Sequence, residues 1–272
     1  MQLTRKQASI IFVMLFYFSL VTWSVIGTVN SALPIGVNGD TPLTDFWYVQ
    51  IGGPHDSLLL DTIMMVVMTN IGAFWFIYIK NNKSFYHVQA RIGYKTFLQE
   101  AASKSFLSAF FLSIATKLYE LLVIVLLTKR LPSNTILPVG ARYGLGPFYD
   151  NTLLSFAIFV LLSSLGWGAY AVFIFALGLF IKKNSIYLVL GAVLGTVLIT
   201  GIALFATFNL NLSRVLYMLL PSTLIAPGQL QFGIFNGHSP NVYLSFLIAT
   251  LIYAGSAVLL FHLWREHRKV RE

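Results

Sequence analysis

The sequence predicts an all-α integral membrane protein with six transmembrane helices and both termini cytoplasmic, and three observations carry that prediction. The chain is 57% hydrophobic and 10% charged over 272 residues, where a soluble domain carries about 25% charged residues. Its apolar residues gather into continuous runs of the length a bilayer requires, roughly 20 residues. Those runs lack the alternation of barrel strands, so their backbone hydrogen bonds must close within each segment, as helix.

The first run, 10–29, is long for a signal core and is followed by no small-residue cleavage pattern, so it is expected to stay as an anchor. The second, third and fourth expected spans are 58–79, 105–127 and 152–181, the last long enough to tilt or protrude. The fifth and sixth are 186–208 and 242–263. No internal repeat or interdomain linker divides the chain, which reads as one transmembrane domain over 1–272.

Lys and Arg orient these spans. Thirteen of the 18 fall on one side if both termini share it: Arg5 and Lys6; Lys80, Lys83, Arg91, Lys95 and Lys104; Lys182 and Lys183; Arg265, Arg268, Lys269 and Arg271. Lys129, Arg130, Arg142 and Arg214 fall opposite, and Lys117 lies inside a span. The positive-inside rule makes the richer side cytoplasmic, in the plasma membrane. The net charge of +9 is then a topology signal. Divided among four inner segments, it makes no surface for nucleic acid.

On the other side, loop 30–57 carries Asp40, Asp45 and Asp56 without Lys or Arg, and loops 128–151 and 209–241 are rich in Pro, Gly and Asn. Within the last of these, VLYMLLPSTLIAPG (215–228) is apolar, too short to span and broken by Pro221 and Pro227. It is expected to dip partway into the membrane with its backbone covered by neighbouring helices.

Several chemistries lose support at this point. With no cysteine there is no disulfide, thiol nucleophile or Cys-ligated metal. No Walker motif is present, so any ATP belongs on another chain. His55, His87, His238, His262 and His267 form no H-E-x-x-H pair, so no metal is expected. His55, Asp56 and Asp61 would suit acid–base work by a membrane enzyme, although HDSLLLD reads equally as a helix N-terminus with favourable acidic charge.

Lys117 and Glu120, in ATKLYELL, sit three apart on one face near the middle of the third span. An internal ion pair and the lining of a transport pathway, including that of an ion-coupled carrier, are both compatible with that position. Gly191 and Gly195 form a small-xxx-small pair, and Ser163, Gly166, Gly168 and Ala169 are similarly small, which suits helices packed closely in one bundle.

Segment 84–104 places Arg91, Lys95, Glu100 and Lys104 immediately before one of the most apolar runs of the chain. Tyr94, Phe97, Leu98 and Ala101 follow i, i+3, i+4, i+7 along one helical face, and Glu100 precedes Lys104 in the favourable i, i+4 order. Gly93 divides it into two short amphipathic pieces. Binding to anionic lipid is one expectation for such a segment.

With six spans, both ends inside, a charged segment between spans two and three, no ATP site and a broken apolar loop before the last span, the chain resembles the permease subunit of an ABC type-2 exporter. That resemblance implies a separate ATPase subunit binding ATP and Mg, and a second permease copy or homologue. It also implies that Arg91, Gly93, Tyr94, Lys95, Phe97, Leu98 and Glu100 belong to a coupling helix, and that the turn around Pro221 and Pro227 re-enters the membrane. The first outer loop is larger than a minimal permease needs.

Overall fold

A computed structural model describes residues 5–32, 41–50, 57–82, 84–133, 151–208, 216, 218–227 and 241–269. Among them every regular element is helical: α1 Arg5–Ala32, α2 Pro42–Gln50, α3 Ser57–Asn70, α4 Phe74–Asn81, α5 Ser84–Thr128, α6 Thr152–Gly178, α7 Asn184–Phe208, α8 Pro221–Ile225 and α9 Val242–Lys269. Among the described residues four stretches are long and apolar enough to cross a membrane: Ile10–Asn30, Ala90–Thr128, Thr152–Gly178 and Val242–His267. The paired segments Thr62–Asn70 and Phe74–Asn81 make a fifth if they are one bent span. The fifth expected span, 186–208, falls on α7, whose apolar stretch among the described residues is the shorter Asn184–Leu198.

The run expected as one span over 58–79 is bent. α3 and α4 meet at a 64° bend, and a sharp bend has a local cause. Asn70 Nδ2 donates to Val66 O at 2.7 Å and to Leu188 O at 2.9 Å, tying the end of α3 to α7. Gly72 presses on α5, where a Cβ would stand 2.4 Å from Lys104 O and 2.0 Å from Ser108 Oγ. Only glycine permits that approach. The hydropathy of the run is blind to it.

Segment 84–104 is the beginning of α5, which kinks at Gly93 and from there runs on as helix into 105–127. Gly93 is the one non-helical residue inside α5, at φ 70° and ψ 165°, a backbone conformation that L side chains rarely adopt. Beyond Gly93 nothing in the sequence stops the helix, and the Glu100–Lys104 pair at 2.5 Å supports it on the surface.

α6 holds the bundle together. Of its most apolar window 61% is buried, against 22–33% for the other membrane-length helices. Small residues let neighbours close on it: a Cβ on Gly168 would meet the Phe106 ring of α5 at 2.7 Å, and one on Gly166 would meet Leu224 O of α8 at 1.8 Å. Tyr170 reaches across to α7, donating to Gly191 O at 2.7 Å, and its ring meets Tyr253 of α9 edge-on. α1 runs parallel to α5, joined by Tyr17–Thr116 at 2.9 Å and Thr22–Tyr119 at 2.6 Å. The outward surfaces are aliphatic and aromatic, as at Phe12, Leu126 and Val258. Such a surface suits lipid hydrocarbon better than water.

One end of the bundle gathers the ends of α4, α6 and α9 with the starts of α5 and α7. Asn81 Nδ2 donates to Asn184 Oδ1 at 2.6 Å, and Phe85 packs edge-on against Trp264. Lys80, Arg91, Lys95, Lys104, Lys182, Lys183 and Arg265 all belong to this end.

Candidate functional site

Two places concentrate polar chemistry: the start of α5 at the basic end, and a charged pair inside the bundle.

The start of α5 has two faces. Phe97 and Leu98 are buried, and Tyr94 is half-buried with its ring edge-on to Trp264. Phe97 meets Phe76 of α4 and Phe85 of the preceding helical piece, both edge-on. Such contacts contribute about 0.5–1.5 kcal/mol each beyond the area they bury. Arg91, Gly93, Lys95 and Glu100 are exposed on the other face. The seven residues of the expected coupling surface therefore divide: four face outward, and Tyr94, Phe97 and Leu98 face this chain's own core.

The second place depends on α2, an element missing from the expected first outer loop. Pro42 opens it at N1, where the missing N–H costs nothing. Leu43, Phe46 and Trp47 are buried. Phe46 packs edge-on against Phe156 and Trp47 against Phe159, both of α6. Leu43, Phe46, Trp47 and Gln50 follow i, i+3, i+4, i+7, the pattern by which the helix could have been found in the sequence.

Gln50, at the end of α2, reaches Lys117 and Glu120 of α5. Lys117 Nζ donates to Gln50 Oε1, and Gln50 Nε2 donates to Glu120 Oε2 at 2.7 Å. Lys117 and Glu120 lie 3.5 Å apart, are 5% and 1% exposed, and are closed over by the Phe159 ring 5.9 Å from the ammonium. A buried ion pair is tolerable only when hydrogen bonds satisfy what the partner leaves open. The Gln50 carboxamide does this for both members at once. The reverse amide orientation would set NH2 against ammonium and carbonyl against carboxylate, so electrostatics fixes it.

Nearer the α2 N-terminus, burial pushes the Asp45 carboxyl up to about 6, with Arg130 beyond the end of α5 pulling the other way.

Within the loop expected to re-enter, Pro221–Ile225 is a short helix with every residue buried. Ser163 Oγ donates to Ile225 O at 2.5 Å, and Tyr253 Oη donates to Leu219 O at 2.8 Å. These bonds satisfy backbone carbonyls beside the middle of α6 and α9. Pro221 opens the helix at N1, and Pro227, also buried, follows its end. Gly191 and Gly195 face α3, where added Cβ atoms would meet Thr69 Oγ1 at 2.7 Å and Met65 Sδ at 2.4 Å.

His55, Asp56, His238, Arg142, Arg214 and Lys83 lie outside the described residues, and Asp61 falls on α3. His87, His262 and His267 are exposed. Among the described residues no three His, Asp or Glu side chains are placed to hold a metal ion. No family model, no curated protein and no solved structure matches this chain.

Proposed function

We propose that the chain is the membrane subunit of an ATP-driven exporter of the ABC type-2 class, moving an apolar or amphipathic cargo such as a peptide, lipid or drug across the plasma membrane. A separate ATPase subunit binds ATP and Mg, and a second permease copy completes the pathway. The chain itself then catalyses no reaction. Its basic end, with both termini, lies in the cytoplasm, which brings the start of α5 to the side where ATP is found.

The observation that carries this reading is the division of faces at that start. A helix held only by lipid would turn its apolar face to the membrane. Here Phe97 and Leu98 are spent on the chain's own core while Arg91, Lys95 and Glu100 stay outside. A rigidly seated helix with a free charged face can take a push from a partner and pass it along α5 to Lys117 and Glu120, the kind of rigid-body change that domain closure drives.

The test is purification of the tagged chain in mild detergent and identification of what accompanies it. A soluble ATPase in stoichiometric amount, lost when Arg91 and Lys95 are both changed to Glu, is the expected result. A chain recovered alone, under conditions that preserve other transporter complexes, removes the proposal.

A further inference from the structure

The contacts of Gln50 have a chemistry of their own. If Lys117 and Glu120 needed only to neutralise each other, a direct contact of about 2.8 Å would serve. They stand instead at 3.5 Å, and the closer contact of each is to the carboxamide. The ammonium offers donors to a carbonyl oxygen and the carboxylate accepts from an amide N–H. Together they read an amide group by both of its polar atoms. The Phe159 ring supplies the apolar wall.

The group that fills this place arrives on a nine-residue helix, not on a membrane-length span. Leu43, Phe46 and Trp47 pack it against the bundle and Asp45 is attracted to Arg130. Resting on the exporter reading above, we propose that Lys117 and Glu120 form an amide-binding site for cargo, that Gln50 occupies it as an internal ligand, and that an amide-bearing cargo such as a peptide takes Gln50's place as α2 withdraws. Peptides are thereby favoured over lipids or drugs that lack an amide. An empty state would leave two buried charges incompletely bonded, so exchange of one amide for another is the low-cost route.

The site is tested by emptying it. The Gln50→Ala chain, purified in detergent, is expected to melt below the wild type and to regain roughly 3 °C with propionamide in large excess. Propionate and propylammonium, of similar size, are expected to restore much less, and propionamide to leave the wild type unchanged. Equal rescue by all three, or none, overturns the amide site.

The exchange is tested in the otherwise native chain. It has no cysteine, so Leu43→Cys places a single thiol on the buried face of α2. N-acetylalaninamide is expected to speed its labelling by a maleimide several-fold, and Glu120→Gln to abolish that gain. Unchanged labelling overturns the displacement of α2, and this readout stands whether or not Gln50→Ala is recovered. Neither assay contains an ATPase, so failure here is distinct from failure of the exporter reading.

Discussion

The Lys80 ammonium lies 3.0 Å from the carbonyl oxygen of Gly178, and the same nitrogen donates to Leu179 O at 2.9 Å and Ile181 O at 2.6 Å. All three donor hydrogens are thus directed at the end of α6, where helical carbonyls run out of partners and the macrodipole is negative. Lys80 is itself buried. A residue that in the sequence only marks a cytoplasmic side is here what closes the central helix and joins α4 to it.

Lys80→Met should therefore destabilise the bundle by about 1–3 kcal/mol, the cost of taking the ammonium away from Leu179 O and Ile181 O, while Gly178 O keeps its bond from Ile181 N–H. A melting curve in detergent checks it. Lys80→Arg should lose less, because donors and charge remain. A methionine variant that melts with the wild type would mean that water satisfies those carbonyls.

Gly166→Ala should loosen α8. Its Cβ would stand 1.8 Å from Leu224 O, with backbone on both sides and no flexible side chain to move aside. Gly201→Ala, on α7, meets nothing within 4 Å and should be neutral or slightly stabilising, alanine being better in a helix by about 1 kcal/mol. Melting temperatures of the pair give the contrast directly, and equal behaviour would remove the packing role assigned to Gly166.

Gly93→Ala should strain the elbow. No atom lies in the way of a Cβ, so the penalty is conformational, on the order of 1–3 kcal/mol for a side chain held in that region. Relief by straightening would carry Phe85 away from Phe97 and Trp264. The expected result is a lower melting temperature and, on the exporter proposal, weaker recovery of the proposed ATPase partner. Unaltered values for both would show that the turn at Gly93 bears no load.

Asp45 makes a prediction in pH. Its carboxyl is held up at about 6 by burial, against 3.8 ordinarily. Below pH 3.8 both folded and unfolded chains hold the proton and the group has no effect. Between pH 3.8 and 6 the unfolded chain releases it first, so stability falls as pH rises, and above 6 the loss is complete. Asp45→Asn should remove this decline, melting above the wild type at pH 7 and with it near pH 3.8. The difference should be modest because the group is partly exposed and faces Arg130. A variant less stable at pH 7 would show the Arg130 attraction outweighing burial.

Much of the helical class was legible in the sequence because it follows from local composition. Continuous apolar runs can satisfy their backbones in lipid only as helices. The interruption at Gly93 was legible for the same reason, since a residue without Cβ marks where the backbone is free to turn. The helix α2 carried its signal openly in Leu43, Phe46, Trp47 and Gln50, and was obscured by the acidic and glycine-rich loop around it.

The tertiary structure decided the rest. Hydropathy sums a run without knowing its neighbours, so 58–79 reads as one span although Asn70 and Gly72 bend it against α7 and α5. Periodicity places Tyr94, Phe97 and Leu98 on one face but cannot say whether a partner, lipid or the chain's own Phe76 and Phe85 will cover it. Spacing puts Lys117 beside Glu120, yet the residue that completes the pair is Gln50, 67 positions away from Lys117 in the chain. Composition and period are properties of a segment, and they determined the helices. The partner of a buried charge is a property of the packed bundle, because only packing brings distant segments within hydrogen-bonding reach.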